Sequence, residues 1–85
     1  MRTYLVDLRL KKGFSQRRVA REAGISYQHY SKIENGDRGG KVSFLIIGRI
    51  ANVLSTSLDN LYPMEKEYQD KLELNKEIAH VTGSY

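Results

Sequence analysis

The stretch SQRRVAREAGISYQHYSKIENG, Ser15–Gly36, predicts two short helices joined by a tight turn. Ser15 and Ser26 each precede a helical segment, where a serine hydroxyl can accept a hydrogen bond from an unpaired amide of the first turn. Gly24 and Gly36 each follow such a segment, where a left-handed residue ends a helix at no steric cost to glycine. The sequence therefore predicts helices over about residues 15–24 and 26–35.

The second of these helices has two different faces. Tyr30 and Ile33 are three residues apart and form an apolar face that can hold the helix on the domain. Ala20 and Gly24 let the two helices approach closely, as in a helix-turn-helix, whose second helix enters the major groove of DNA. Such a helix also needs polar side chains that reach base edges. The candidates here are Tyr27, Gln28, Ser31 and Lys32.

The rest of the chain also reads as helices. A first helix ends at Gly13, and Ser43 and Ser57 are good N-caps for a fourth and a fifth helix. Pro63 suits the first turn of a separate segment. We expect an all-α fold with a domain over residues 1–62 and a C-terminal helical tail over residues 63–85. The fourth helix carries a predicted core stripe of Phe44, Ile47, Ile50, Ala51 and Leu54, and the fifth directs Leu58, Leu61 and Tyr62 inward.

Composition narrows the class of protein. The 85 residues contain no cysteine, which excludes disulfides and thiolate metal sites, and the two histidines are far apart. We expect no metal, no cofactor and no catalysis, because no nucleophile–base pair or phosphate-binding glycine loop is present. No apolar run is long enough to span a membrane, and the N-terminus lacks the features of a signal peptide. A cytoplasmic protein, associated with the nucleoid when bound to DNA, is the expectation.

Charge is spread unevenly along the chain. Residues 1–49 hold eleven lysines and arginines against four acids, a net charge of +7, whereas residues 50–85 hold three lysines against six acids, a net charge of −3. The excess of positive charge in residues 1–49 indicates a polyanionic partner. On charge alone, nucleic acid and a merely solvated basic surface are equally consistent with the sequence.

The helix-turn-helix residues and their flanking helices together resemble a known family of proteins, over about Leu5 to Tyr62. The chain resembles the Xre/Cro/cI-type helix-turn-helix family, which includes lambdoid phage repressors. This implies a five-helix lambda-repressor-like fold that binds double-stranded DNA, usually as a dimer on a two-fold-related operator. The matching positions are Gln16, Val19, Ala20, Gly24, Ile25, Ser26, Tyr30, Ile33, Glu34 and Gly36.

The resemblance also assigns roles to single residues. It implies that Tyr27, Gln28 and Lys32 read bases, with Ser31 nearby as a fourth candidate. It implies an ion pair between Arg9 and Glu34 that ties the first helix to the third. The residues expected to bind phosphate, some from the resemblance and some from their charge or position, are Gln16, Arg17, Ser26, His29, Asn35, Arg38 and Lys41.

Apolar side chains outside the predicted core suggest an interface between copies. We expect the protein to be a repressor that acts as a homodimer, with the tail contributing to the interface between copies. The alternative is that the tail folds back over the core of its own chain. A second hypothesis is the DNA-binding half of an antitoxin-like or partner-controlled pair, whose acidic tail binds another protein. A third is a helical interaction module that binds no DNA. The expected dimer residues are Leu45, Ile46, Arg49, Val53, Tyr68 and Leu72.

Overall fold

The computed structural model describes the backbone of residues 1–36 and 42–83 and the side chains of residues 1–36 and 42–72. Within these ranges the chain forms five helices and no strand, which confirms the all-α prediction. None of the described helices has the length and apolarity that crossing a bilayer requires. The helices are α1 (Thr3–Lys12), α2 (Gln16–Ala23), α3 (Tyr27–Asn35), α4 (Phe44–Val53) and α5 (Leu58–Gly83).

Helix α2 lies at the centre of the fold, packed against both α3 and α4. Its small residues Ala20 and Ala23 are almost completely buried, so the neighbouring helices can approach it closely. Tyr30 from α3 and Ile50 from α4 are fully buried against this face. Burial of such large apolar side chains is the main force that holds short helices together. The core cluster consists of Leu5, Val19, Ala20, Ala23, Tyr30, Ile33, Ile50 and Leu54.

The four predicted serine caps are present. The Ser15 hydroxyl accepts a hydrogen bond from the amide three residues later, and so do the hydroxyls of Ser26, Ser43 and Ser57. Each bond satisfies an amide that has no partner within its helix. The starts of α2, α3, α4 and α5 are therefore set locally by the sequence, whereas α1 begins without a side-chain cap.

The turn between α2 and α3 is closed by Gly24, whose φ is +73°. Its amide donates to the Arg21 carbonyl, and the amide of Ile25 donates to the Ala20 carbonyl. This pattern is a Schellman motif, which satisfies the last carbonyls of α2 and needs a left-handed residue at its centre. Three residues thus reverse the chain and bring α3 against α2 at a fixed angle.

Pro63 does not begin a separate segment, which corrects the sequence-based expectation. It lies inside α5, which continues from Leu58 to Gly83. The N–H that proline lacks would bond to the Asp59 carbonyl, one turn from the start of the helix. One lost bond is offset because the following turns are held to the domain through Glu65. The boundary expected between residues 62 and 63 therefore falls within one helix.

Two aromatic side chains predicted to be buried are exposed. Phe44 begins α4 and is 73% exposed, and Tyr62 in α5 is 66% exposed. The stripe on α4 is buried only from Ile50 onward, since the first turn of that helix extends past the core. Phe44 and Tyr62 line an apolar groove between α4 and α5 together with Leu58.

Candidate nucleic-acid interface

Helix α3 presents a polar face to solvent and an apolar face to the core. Tyr27, Gln28 and Lys32 are exposed and Ser31 is half-buried, whereas Tyr30 on the opposite side is fully buried. These four residues occur at positions i, i+1, i+4 and i+5, which lie on one side of a helix. The structure therefore brings the four predicted base-reading residues together on one exposed face.

A recess lies beside this face, at the N-terminus of α2. Arg9, Ser15, Gln16, Arg17 and Tyr27 line it. The partial positive charge of a helix N-terminus and the Arg17 guanidinium favour an anion there, whereas the charge of Arg9 is paired with Glu34. The recess is therefore a candidate site for a phosphate group, next to the exposed face of α3.

Arg17 and Tyr27 are in direct contact across the recess. The Arg17 guanidinium lies over the Tyr27 ring, 4.4 Å from its centroid. A guanidinium over an aromatic face is attracted by the ring quadrupole and restricts both side chains. The contact places a phosphate-binding candidate against a base-reading candidate before any DNA is present.

The buried carboxylate of Glu34 fixes these elements relative to each other. Arg9 donates from Nε to Oε2 and from Nη2 to Oε1, both at 3.0 Å, so the expected ion pair is present in bidentate form. Gln16 Nε2 donates to Oε1 at 2.9 Å. Three helices thus meet at one acceptor that is 2% exposed. The Gln16 NH₂ group carries two N–H bonds, so the contact with Glu34 leaves one of them for another acceptor.

The ionisation of Glu34 follows from these contacts. Burial opposes the charged form, but the hydrogen bonds from Arg9 and Gln16 outweigh burial and hold the pKa of Glu34 below its ordinary value. Burial and the adjacent Glu34 carboxylate raise the pKa of the Tyr30 hydroxyl. The cluster therefore carries a charged carboxylate and a neutral phenol at neutral pH.

Arg18, the neighbour of Arg17, faces a different direction. It donates to Glu22 at 2.7 Å and lies 3.9 Å from the centroid of the Phe14 ring. The structure places Arg17 in the recess and Arg18 in a surface ion pair.

The other predicted phosphate ligands are less closely grouped. The Ser26 hydroxyl accepts from the His29 amide, so its role within the described residues is to cap α3. His29 and Asn35 are both exposed, the latter as the last residue of α3. The two remaining candidates, Arg38 and Lys41, lie outside the described residues.

The basic surface is smaller than the sequence count indicates. Arg2 is 1% exposed and forms an ion pair with Glu65, and the Arg9 side chain is 13% exposed and pairs with Glu34. Arg2 and Arg9 therefore face the interior, so that among the described basic residues of this segment two add no charge to the surface. The burial of Arg2 could not be predicted from the sequence, because an arginine beside the N-terminus is normally exposed.

The residues expected at a dimer interface do not form one exposed surface. Tyr68 packs within its own chain, where its ring lies under the Arg2 guanidinium. Arg49 lies beside the turn between α2 and α3, its Nη1 atom 3.8 Å from the position of a Cβ on Gly24. Leu45 is 70% exposed. The others, Ile46, Val53 and Leu72, are half-buried.

The described part of the chain holds no cluster of histidine and acidic side chains that could bind a metal ion. The candidate interface is instead lined by guanidinium, amide and hydroxyl groups. Such groups donate hydrogen bonds, which suits phosphate oxygens and base acceptors.

Comparison with known proteins agrees with this geometry. A family model described as helix-turn-helix matches residues 5–61. The chain is 43% identical over 54 residues to the uncharacterized HTH-type transcriptional regulator YqaF of Bacillus subtilis (strain 168), covering 64% of this chain and 68% of that protein. No solved structure matches the chain significantly. The chain belongs to the Xre/Cro/cI-type helix-turn-helix family, a family of DNA-binding transcriptional regulators rather than of enzymes.

Proposed function

We propose that the protein is a sequence-specific repressor that binds double-stranded DNA as a homodimer, with α3 in the major groove. The observation that carries this proposal is the exposed face of Tyr27, Gln28 and Lys32 beside the recess at the N-terminus of α2. The relative placement of the two is set by the buried Glu34 carboxylate. Binding requires this combination, because phosphate contacts position a protein on DNA and base contacts give it specificity.

Each exposed residue on α3 suits a particular base edge. The Gln28 amide can donate to and accept from adenine, and the Lys32 ammonium can donate to the acceptors of guanine. The Tyr27 ring can contact the methyl group of thymine while Arg17, stacked on it, reaches a phosphate. The recess at the N-terminus of α2 binds phosphate through Gln16 and the first amides of the helix.

Exposed apolar side chains support the homodimer. Phe44, Leu45 and Tyr62 are each at least 66% exposed, and Phe44 and Tyr62 line the groove between α4 and α5. Apolar patches of this kind mark association sites more often than chance exposure. A two-fold dimer would place two copies of α3 in successive major grooves, about one helical turn apart. A dimer that covers a promoter represses by excluding polymerase.

Fluorescence anisotropy tests the proposal. The probes are labelled duplexes from the DNA flanking the protein's own gene, with a random duplex as control, measured across a range of salt concentrations. We expect one fragment to bind at least about 10³-fold more tightly than the random duplex, with affinity that falls steeply as salt rises. Failure to bind any duplex at low salt would refute DNA binding.

Two substitutions test the assignment of α3. Gln28→Ala and Lys32→Ala should each weaken binding to the specific fragment by about 1–3 kcal/mol. Gln28→Ala should leave the affinity for the random duplex unchanged, because it removes no charge. Equal losses on both duplexes would show that Gln28 does not read a base.

Sedimentation velocity tests the dimer separately. We expect the wild-type protein to sediment as a dimer at micromolar concentration, and Phe44→Glu with Tyr62→Glu to sediment as a monomer. A wild-type monomer both with and without DNA would refute the homodimer. That result would not decide whether the protein binds DNA, which the anisotropy experiment tests.

A further inference from the structure

Arg2 is a buried arginine that joins the two ends of the domain. Its Nε donates to Glu65 Oε1 at 2.9 Å and its Nη2 donates to Glu65 Oε2 at 3.0 Å. The guanidinium also lies 4.5 Å from the centroid of the Tyr68 ring. We refer to Arg2, Glu65 and Tyr68 as the clasp. A planar guanidinium can make these contacts together because its donors are held in a fixed fork.

The same guanidinium reaches the C-terminal end of α3. Its Nη1 donates to the Ile33 carbonyl at 2.6 Å, and the Arg2 backbone amide donates to the Glu34 carbonyl at 2.7 Å. Carbonyls in the last turn of a helix lack partners within the helix, and the negative end of the helix dipole lies there. Arg2 therefore caps α3 from outside, with both hydrogen bonds and charge.

Glu65 is itself held firmly, which fixes the position of the cap. Gln69 donates to its Oε2 at 2.8 Å, and the Tyr4 hydroxyl donates to its Oε1. Burial opposes the charge on Glu65, but the hydrogen bonds from Arg2 and Tyr4 prevail and hold its pKa below the ordinary value. At neutral pH the clasp is thus a charged carboxylate paired with a charged guanidinium.

The clasp lies outside the part of the chain that defines the family. The family match covers residues 5–61, so Arg2 precedes it, and Glu65 and Tyr68 follow it. The two flanking segments meet each other at the C-terminal end of α3. They add to the fold a support for α3 that the family-matched segment does not supply.

We propose that Arg2 is a positioning residue for DNA binding, which holds the C-terminal turn of α3 in the orientation that base recognition requires. This proposal rests on the proposed function. The last turn of α3 carries Lys32, a base-reading candidate, next to the capped carbonyl of Ile33. Arg9 and Gln16 also hold this turn through Glu34, and the Gly36 amide donates to the Ile33 carbonyl. Loss of the Arg2 cap removes one of these restraints and lets the turn shift relative to the first turn, which Ser26 holds. Recognition groups lose effect when displaced by about 0.5 Å.

The test compares Arg2→Gln with Lys66→Gln. Both substitutions remove one positive charge, but the Lys66 side chain is 58% exposed on α5 and pairs only with Asp70 among the described residues. The probes are the duplex that the wild-type protein selects from a random-sequence library and an unselected duplex. Circular dichroism sets a temperature at which every variant is folded.

We expect Arg2→Gln to raise the Kd for the selected duplex at least about fivefold more than Lys66→Gln does, a typical size for coupling between sites. On the unselected duplex the two variants should have equal Kd values, because both lose the same charge. Arg2→Lys should recover part of the selective binding, since an ammonium can still donate to the Ile33 carbonyl. Hydrogen exchange without DNA should quicken at residues 32–36 in Arg2→Gln only.

Two results overturn the role of Arg2. One is equal Kd values for Arg2→Gln and Lys66→Gln on the selected duplex, and the other is unchanged exchange at residues 32–36. If Arg2→Gln does not fold, Glu65→Gln serves instead, because it weakens the hold on Arg2 and keeps the side-chain volume. Failure of the wild-type protein to select any duplex would refute the proposed function itself, a result distinct from either of these.

Discussion

The Tyr68 hydroxyl lies directly against Gly36, at the place where any other residue would carry its Cβ. Gly36 has a φ of +78° and ends α3. Gly13 ends α1 with a φ of +71°, but no atom lies within 4 Å of its Cβ position. The two glycines therefore share a backbone conformation and differ in the space around them.

Gly36→Ala should be considerably more destabilising than Gly13→Ala. A left-handed alanine costs about 1–2 kcal/mol at either site, and overlap with Tyr68 adds about 1–3 kcal/mol at residue 36 alone. Urea unfolding measured by circular dichroism at one protein concentration gives both values. In a Tyr68→Phe background the difference should shrink, because the hydroxyl is gone. Equal losses for the two alanines would show that Tyr68 does not pack on Gly36.

Stability should decline in acid because of Glu34 and Glu65. The pKa of each is held below its ordinary value of 4.5 in the folded chain. The unfolded chain therefore takes up protons first as the pH falls, so the stabilisation is complete above about pH 4.5 and is lost as the pH falls through the folded pKa. Urea unfolding between pH 7 and pH 3 should show this loss.

Two glutamate-to-glutamine substitutions on α5 test this explanation, one at the buried Glu65 and a control at the exposed Glu67. Glu65→Gln should lower the free energy of unfolding at pH 7 and flatten its decline in acid. Glu67→Gln, whose carboxylate is exposed and pairs with Lys71, should leave the decline as in the wild type. An unchanged decline in Glu65→Gln would contradict the role of its charge in stability.

Ser55→Gly should stabilise the protein. Ser55 is the only described residue other than glycine with a positive φ, at +56°. Glycine removes the steric cost of a Cβ in this region, which should raise the free energy of unfolding by about 1 kcal/mol. The greater conformational entropy of glycine in the unfolded chain offsets part of this gain. Lys12→Ala tests the exposed hydrogen bond from Lys12 to Ser55, whose loss should change stability by less than about 0.5 kcal/mol. A lower urea midpoint for Ser55→Gly would contradict this interpretation.

Arg17 and Tyr27 should act together in DNA binding. Because they are in contact, Arg17→Ala and Tyr27→Ala should be non-additive by about 0.5–1 kcal/mol in a double-mutant cycle on the specific duplex. Arg18→Ala is the matched control, since it removes the same side chain from the next position, where it pairs with Glu22. Additivity of Arg17 and Tyr27, or equal coupling of Arg18 with Tyr27, would argue against a joint role.

Local features of this fold could be predicted because short-range chemistry decides them. A serine before a helix and a glycine after it act on amides and carbonyls within four residues, so Ser15, Ser26 and Gly24 define α2 and α3 from the sequence alone. The exposed face of α3 follows from helical periodicity once Tyr30 is placed inward.

Features that depend on distant parts of the chain could not be predicted. Arg2 is buried because α5 supplies Glu65, 63 positions away, and no pattern near residue 2 indicates this. Phe44 follows the periodicity of a core residue but is exposed, since α4 extends beyond the core. Pro63 remains within a helix because tertiary contacts on the next turns outweigh one missing hydrogen bond.

The common acceptor at Glu34 also bears on how such a protein can evolve. Arg9, Gln16 and Glu34 share one carboxylate, so a change at any of them leaves buried charge or polar groups unpaired at the others. The side chains of Gln28 and Lys32 donate no hydrogen bond to the domain among the described residues. Mutation can therefore exchange these two side chains singly at little cost to folding. Under the proposed function, new DNA preferences would therefore be open to drift and selection by single steps, whereas the scaffold beneath these side chains can change only through coordinated replacements.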